Sequence, residues 1–197
     1  MPVLGAALVF AWIAAAVAAP GLPALDLRIR EAVHAAASPG LTRAALAVTQ
    51  LGGDLVLWPL GGFVVLWLMR AGRRREAGLF LLAVLGGDAV NEAMKLIFHR
   101  ARPEPFFGYP KPFTYSFPSG HAFVSLCFYL TLGEIVAAGR AVGLRRALWG
   151  SAVLLALAIG LTRIYLGVHY PSDVAAGYAG AAAWLWAVGA SGVLRTR

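Results

Sequence analysis

Long apolar runs separated by short polar segments are the main feature of the chain. Six of these runs approach the roughly 20 residues that a helix needs to cross the hydrocarbon core of a bilayer. They cover approximately residues 3–19, 51–69, 77–97, 119–138, 147–165 and 173–194. The pattern predicts an all-α integral membrane bundle of six transmembrane helices.

The segment between the first two runs has a different pattern. Apolar positions alternate at helical spacing with the charged or titratable residues Asp26, Arg28, Arg30, Glu31 and His34. Such a segment is typical of an amphipathic helix that lies in the membrane interface. We predict an interfacial helix that packs over the bundle and ends at the Ser38-Pro39-Gly40 break.

The chain ends and its domain organisation follow from the same pattern. The first run ends in small residues, as a signal peptide does, but it lacks a basic region before the apolar stretch. We therefore favour an uncleaved helix. Since no repeat, low-complexity tract or composition change divides the chain, we expect one membrane domain over residues 1–197.

Composition supports the membrane class. Of the 197 residues, 60% are hydrophobic and 13% are charged, against about 25% charged in a soluble domain. A net charge of +8 could indicate nucleic acid, but the arginines cluster between apolar runs, where they fit anionic lipid headgroups. We expect a lipid bilayer and no nucleic acid as partner. Cys127 is the only cysteine, so the chain has neither an internal disulfide nor a cysteine metal cluster.

Basic residues predict the orientation in the membrane. With six spans, nine lysines and arginines fall on one side and eight on the other; removing three that we assign below to the site leaves nine against five. The nine are Arg70, Arg73, Arg74, Arg75, Arg140, Arg145, Arg146, Arg195 and Arg197. The positive-inside rule then places both termini in the cytoplasm and the loops at about 98–118 and 163–172 in the periplasm or exterior. The Ala, Gly and Arg bias is typical of GC-rich bacteria, which indicates a bacterial inner membrane.

Polar residues gather in three groups at the outward-facing helix ends. The first runs from Asp88 through Lys95 to Arg102, the second is Pro118-Ser119-Gly120-His121, and the third contains Arg163, His169 and Asp173. A charge at membrane depth costs at least a few kcal/mol, so such residues are functional candidates. Because all three groups belong to the same membrane face, we predict that they meet in one site.

The second group suits an anion. Pro118 is well placed at the start of a helix, and the backbone N–H groups of Gly120 and His121, with the hydroxyl of Ser119, point out of that start. Lys95, Arg102 and Arg163 add three cations, and an arginine fork matches two phosphate oxygens. The three groups therefore predict a phosphate site.

The histidines add chemistry to this site. At a spacing of four residues on a helix, Asp173 can accept from one ring nitrogen of His169 and leave the other free to attack. His121 is placed to donate a proton to the leaving group. This favours metal-free phosphoryl transfer through a phosphohistidine. Zinc held by the same three residues is the alternative, which we disfavour because three cations would repel it.

Other polar residues near the site receive supporting assignments. Asp88, Asn91 and Glu92 are interpreted as a hydrogen-bonded network behind Lys95. His99 and Arg100 are interpreted as lining the entrance.

These residues resemble the three signature motifs of the type 2 phosphatidic acid phosphatases, a superfamily of membrane lipid phosphate phosphatases related to the vanadium haloperoxidases. The motifs are Lys95 with Arg102-Pro103, Pro118-Ser119-Gly120-His121, and Thr162-Arg163 with His169 and Asp173. The resemblance implies His169 as nucleophile, Asp173 as its orienting partner and His121 as general acid. It implies phosphate binding by Lys95, Arg102, Ser119, Gly120, Arg163 and Thr162, although the family usually has serine at the position of Thr162.

The resemblance implies hydrolysis of a lipid phosphate or diphosphate at the outer face, without cofactor or metal. Candidate substrates are undecaprenyl diphosphate, phosphatidylglycerol phosphate, phosphatidic acid and lipid A phosphate. The alternative is a transporter or binding protein that holds a phosphorylated lipid without cleaving it. An attacking histidine with an orienting carboxylate argues against that alternative, because binding alone does not need them. A haloperoxidase would need a soluble chain.

Overall fold

A computed structural model describes residues 2–17, 19 and 21–190, and in these residues the chain forms eight helices and no strand. The predicted all-α class is confirmed. The basic residues Arg195 and Arg197, used above for orientation, lie outside the described residues. The helices are α1 (Pro2–Val17), α2 (Gly21–Ala35), α3 (Pro39–Gln50), α4 (Asp54–Arg70), α5 (Arg74–Phe98), α6 (Gly120–Ala137), α7 (Val142–Tyr165) and α8 (Pro171–Ala190).

Four stretches of the described chain are long and apolar enough to cross a membrane: Pro39–Arg70, Arg74–Phe98, Gly120–Ala137 and Val142–Tyr165. A fifth is added if α1 and α2, which are bent by 94° relative to each other, count as one broken span. The protein is thus an integral membrane protein. Unlike the predicted span at 51–69, the first of these stretches joins α3 and α4 and is 32 residues long.

The predicted break at Ser38 is present. Ser38 is the N-cap of α3, its hydroxyl accepts from the backbone N–H of Leu41 at 3.3 Å, and Pro39 occupies the first helical turn. A proline is tolerated there because the first N–H groups of a helix have no helical partner. This cap separates α2 from α3.

Helix α6 is the centre of the bundle, and it packs against α5, α7 and α8. Its side chains are apolar nearly all round, as expected for a helix surrounded by other helices. Phe128, fully buried, meets Phe80 of α5 edge to face with ring centroids 5.1 Å apart. On the outside, α1 packs against α8 and α4 against α5.

One end of the bundle collects the helix termini that carry the polar groups. Here α5 and α7 end and α6 and α8 begin. Backbone hydrogen bonds tie their connections together: the N–H of Ser119 donates to the carbonyl of Asp173 at 3.0 Å, and that of Ser116 donates to Arg100 at 2.8 Å. These bonds fix the three sequence groups relative to one another.

Helix α2 lies against the same end through two charged residues. Asp26 and Arg30 are its buried residues, whereas Leu25, Leu27 and Ile29 are exposed. An amphipathic pattern alone would have turned the apolar residues toward the bundle. The structure instead turns two of the charged residues inward.

Candidate active site

A cavity of about 360 Å³ opens at this end of the bundle, and it brings together the three groups predicted from the sequence. Its polar lining is Asp54, Asp88, Glu92, Lys95, Arg102, Thr114, Gly120, His121, Arg163 and His169. Leu57, Trp58 and Val124 contribute an apolar side. Six of the predicted site residues therefore line one cavity.

The three cations of the cavity have different partners. Lys95 Nζ donates to Glu92 Oε1 at 2.6 Å. Arg163, which is 3% exposed, donates from Nη1 to the hydroxyls of Thr49 at 2.8 Å and Tyr109 at 3.1 Å. Its Nε has no hydrogen-bond partner among the described residues. A buried guanidinium bonded only to neutral hydroxyls carries an uncompensated positive charge into the site.

Arg102 reaches the cavity from the loop after α5. Its Nη1 donates to His169 Nε2 at 2.8 Å and to the carbonyl of Val168 at 3.0 Å, while Nε and Nη2 donate to Thr114. Burial, followed by the charge of Arg163, lowers the pKa of Arg102 to about 10. In the described chain no carboxylate forms an ion pair with Arg102 or Arg163.

His169 precedes α8 and is almost completely buried. Since Arg102 donates to Nε2, that nitrogen carries the lone pair, and the proton lies on Nδ1, 3.4 Å from Asp173 Oδ2. Burial and then the charges of Arg102 and Arg163 lower the pKa of His169 well below its ordinary value. The ring is thus neutral, with one nitrogen directed into the cavity.

Asp173, in the first turn of α8, is fully buried and accepts hydrogen bonds from several donors. Its Oδ2 accepts from the backbone N–H of Tyr170 at 2.9 Å and from the hydroxyl of Ser116. Its Oδ1 accepts from Arg100. The predicted pairing of His169 with Asp173 at a spacing of four residues is therefore present in the structure.

The start of α6 forms the floor between these groups. A Cβ added at Gly120 would lie 3.4 Å from Lys95 Nζ and 3.2 Å from Asn91 Nδ2, so glycine allows α5 to approach. The hydroxyl of Ser119 is fully buried without a hydrogen-bond partner in the described residues. His121 faces the cavity and packs against Gly52, where a Cβ would lie 3.3 Å from its ring.

Three predicted site residues do not line the cavity: Ser119 and Asp173, which adjoin the lining residues Gly120 and His169, and Thr162, which lines a different cavity. Thr162 donates its hydroxyl to the carbonyl of Ile159 at 2.5 Å, within its own helix. Its side chain lines a separate apolar cavity between α2, α3 and α7. Because Arg163 and Thr162 are adjacent on a helix, their side chains point about 100° apart. The structure therefore does not place Thr162 with the other five phosphate-site candidates.

Sequence reasoning also misplaced Arg100, which it assigned to the entrance. The side chain is 12% exposed and donates to Asp26 Oδ2 at 2.8 Å, to Ser172 Oγ at 2.8 Å and to Asp173. Its position two residues before Arg102 within the first motif was the signal available. Asp26 belongs to no motif. The only signal for it in the sequence was the free-energy cost of placing a carboxylate in an apolar segment.

The predicted network behind Lys95 is present in part. Glu92 accepts from Lys95 and, at 3.4 Å, from Asn91 Nδ2, while Asp88 lines the cavity one turn earlier. Among the described residues, no group of three or more histidine, cysteine, aspartate and glutamate side chains is arranged to hold a metal ion.

An all-helical membrane bundle whose cavity holds two arginines without a carboxylate partner, beside a buried histidine that has one, defines the class of membrane-integrated phosphatases. The family model of the PAP2 superfamily matches residues 76–195, which includes all three motifs. The chain belongs to this superfamily, and it is a phosphoric ester hydrolase. The resemblance seen in the sequence is confirmed.

Named relatives span most of the chain. Phosphatidylglycerophosphatase B of Bacillus subtilis is 29% identical over 178 residues, which cover 87% of this chain and 85% of that protein. Decaprenylphosphoryl-5-phosphoribose phosphatase of Mycobacterium tuberculosis is 32% identical over 147 residues, or 72% and 75% of the two chains.

A solved structure shares the fold. The crystal structure of a transmembrane PAP2 type phosphatidylglycerolphosphate phosphatase from Bacillus subtilis superposes with a TM-score of 0.89 at 24% identity, covering 99% of this chain and 98% of that one. The fold is therefore that of a PAP2 membrane phosphatase.

Proposed function

We propose that this lipid phosphatase hydrolyses a membrane lipid phosphate or diphosphate at the outer face of the membrane, without a metal, through a phosphohistidine intermediate. One observation carries the proposal: Arg163 and Arg102 bring positive charge to one cavity with only neutral partners, beside a neutral histidine. Buried charge of one sign calls for a ligand of the other sign. A phosphate at that point lies within reach of a nucleophile.

Phosphate binding is assigned to residues from three helix ends. Arg102 and Arg163 donate hydrogen bonds to the phosphate oxygens, and Lys95 adds a point charge beside the first turn of α6. Backbone N–H groups at Gly120 and the unpartnered hydroxyl of Ser119 complete the cradle. These donors stabilise the equatorial oxygens of the transferring phosphoryl group. We leave Thr162 out of this set because its hydroxyl bonds within α7.

The reaction begins with attack of His169 Nε2 on phosphorus. The P–N bond forms as the bond to the leaving oxygen breaks, and the donors of Arg102 pass from Nε2 to the phosphate. Asp173 accepts from the Nδ1 proton as the ring becomes positive. His121 protonates the leaving oxygen. It then takes a proton from a water that attacks phosphorus, the P–N bond breaks, and inorganic phosphate leaves with His169 neutral again.

An apolar cavity beside the site supports a lipid substrate. The cavity of about 360 Å³ that holds the proposed phosphate ligands is called the phosphate cavity. A second cavity of about 280 Å³ lies between α4 and α5 and shares Leu57 and Trp58 with it. Its lining includes Gly61, Gly62 and Val65 of α4, and glycines leave room between the two helices. A lipid whose phosphate lies at Arg102 and Arg163 would extend its chain along this path.

The orientation follows from the charge pattern. We propose six spans in one domain over residues 1–197, with α1 and α8 crossing alongside the four stretches described above and both termini in the cytoplasm. Seven of the nine basic residues on the predicted inner side lie in the described 70–75 and 140–146 segments, opposite the cavity. Helix α2 then lies at the outer interface of a bacterial inner membrane, since Leu25, Leu27 and Ile29 are exposed.

Phosphatidylglycerol phosphate is the first substrate to test, because the Bacillus relative is named for acting on it. Undecaprenyl diphosphate, phosphatidic acid and a phosphorylated lipid A complete the panel. Detergent-purified protein in excess EDTA should release inorganic phosphate from at least one of them. The variant His169→Ala should release none, and His99→Asn, a matched change of an exposed histidine in a left-handed conformation, should act as wild type.

Two results would contradict the proposal in different ways. Undiminished phosphate release by His169→Ala would rule out the phosphohistidine intermediate. Binding of the lipids without release by wild type would favour a transporter or binding protein.

A further inference from the structure

Asp26 is a carboxylate in an unexpected place. It lies on α2, outside the three motifs, and is 1% exposed. A buried carboxylate is tolerated only where it is paired and hydrogen-bonded. Its partners therefore indicate what it is retained for.

Every described partner of Asp26 belongs to the surroundings of Asp173. Oδ1 accepts from the backbone N–H of Ser172 at 2.9 Å, and Oδ2 accepts from the hydroxyl of Ser172 at 2.5 Å and from Arg100 Nη2 at 2.8 Å. Ser172 directly precedes Asp173 in the first turn of α8. Asp26 thus binds the same turn that carries the orienting carboxylate.

Arg100 joins the two carboxylates. While Nη2 donates to Asp26, Nη1 donates to Asp173 Oδ1 and to Ser172 Oγ. The guanidinium also lies over the ring of Tyr170, 4.2 Å from its centroid. Since the fork is rigid and planar, holding one side of it fixes the direction in which the other side donates.

This arrangement determines which oxygen of Asp173 faces His169. Oδ1 is occupied by Arg100, so Oδ2 is left to Ser116, to the N–H of Tyr170 and to His169 Nδ1. If Arg100 were released on the Asp26 side, its fork could turn and draw the Asp173 carboxylate away from the ring. Loss of the Asp26 side chain would also leave Ser172 without its acceptor.

We propose that Asp26 is a positioning residue for the phosphatase reaction: by holding Arg100 and Ser172, it fixes the carboxylate of Asp173 in the orientation that faces His169. This inference rests on the proposed roles of His169 and Asp173. It extends the functional unit to α2, which contributes no residue to the phosphate cavity.

The first test compares two variants of the full-length protein in detergent. Asp26→Asn removes the buried charge; Glu31→Gln removes an exposed charge from the same helix. With phosphatidylglycerol phosphate in mixed micelles, or the lipid of the panel above from which wild type releases phosphate fastest, Asp26→Asn should lower kcat by about 10- to 100-fold, the range found when an outer hydrogen-bond partner of a metal-binding histidine is removed. KM should change less than about threefold, because the phosphate ligands are intact. Glu31→Gln should match wild type.

A double-mutant cycle separates positioning from a general effect on folding. In an Asp173→Asn background, Asp26→Asn should change kcat less than about twofold, since the group it positions is gone. A purely structural role for Asp26 would reduce kcat by the same factor in both backgrounds and would overturn the inference. Equal kcat for Asp26→Asn and Glu31→Gln would overturn it as well.

A milder variant covers the case in which Asp26→Asn does not fold. Ser172→Ala removes the hydroxyl between Asp26 and Arg100, and it should lower kcat several-fold in the wild-type background only. An equal loss in the Asp173→Asn background would contradict the inference. Failure of the wild type to release phosphate from any lipid would instead overturn the proposed function, and the inference with it.

Discussion

The two ends of the helix bundle use the same charged residue types in opposite ways. At the end away from the cavity, Arg145 is 55% exposed and pairs with Glu134 at 3.0 Å. At the cavity end, Arg163 is 3% exposed and donates only to hydroxyls. Arg145 is therefore hydrated and paired with a carboxylate, whereas Arg163 is buried and has no carboxylate partner among the described residues.

This difference separates charge used for solubility and orientation from charge used for chemistry. An exposed ion pair contributes about 0–1 kcal/mol and can be lost with little effect. A buried cation without a counterion costs stability, so it persists only where function needs it. Variants matched between the two ends can therefore test the assignment of the site.

The largest difference is expected for the carboxylates. Asp173→Asn should lower kcat by roughly 10²- to 10⁴-fold, because an amide can no longer fix the His169 tautomer or stabilise the charged ring. Glu76→Gln, which removes the carboxylate paired with Arg73 at the opposite end, should leave kcat within about twofold. Steady-state phosphate release from purified variants measures both. Comparable losses of kcat in the two variants would contradict the assignment of the site to the cavity end of the bundle.

Cations come next. Arg163→Lys should lower kcat/KM by about 10²-fold, since a lysine cannot reproduce the fork, and one lost transition-state donor typically costs 10²- to 10³-fold. Arg145→Lys should have no measurable effect on turnover. Inhibition by vanadate gives an independent reading, because a phosphate analogue should lose affinity for Arg163→Lys alone. Unchanged vanadate inhibition would remove Arg163 from the phosphate site.

A third prediction concerns pH. An ordinary histidine has a pKa of about 6.5. Because the pKa of His169 is lowered, its ring stays neutral at pH values below that, and the acid limb of kcat/KM should lie below about pH 6.5. Lys95 is one of the cations that lower this pKa. In Lys95→Gln the limb should therefore move to higher pH, whereas Lys111→Gln, which breaks an exposed pair with Glu104, should leave it in place.

Wild type and variants are compared on the same substrate, so the titration of the lipid phosphate is common to all profiles and the shift between profiles reports the enzyme. A limb that stays in place or moves to lower pH in Lys95→Gln would contradict the assignment of His169 as the titrating group.

Helix positions and the cavity residues could be predicted from the sequence because both depend on local pattern. Apolar runs mark the helices, and the motifs at the helix ends bring Lys95, His121 and His169 to one cavity. The buried side of α2 could not be predicted. Which face of an amphipathic helix turns inward depends on partners such as Arg100 and Ser172, which are far away in the sequence.

Thr162 shows the converse limit. A motif position carries over the residue type but not the direction of its side chain, which the helical rotation between Thr162 and Arg163 determines. Thr162 lines an apolar cavity and its hydroxyl donates within α7, so the threonine in place of serine is accommodated away from the phosphate site.

The smallest effect is expected for Glu134, whose Oε1 and Oε2 accept from Arg145 and from Trp149 Nε1 at 2.7 Å. Glu134→Gln keeps an acceptor for the indole and removes only the charge, so the free energy of unfolding should fall by less than about 1 kcal/mol. Thermal denaturation in detergent should show a Tm shift of at most a few degrees, and high salt should reduce the difference from wild type because exposed pairs are screened. A larger, salt-independent loss would mean that this end of the bundle also depends on a buried charge, and the contrast between the two ends would no longer identify the site.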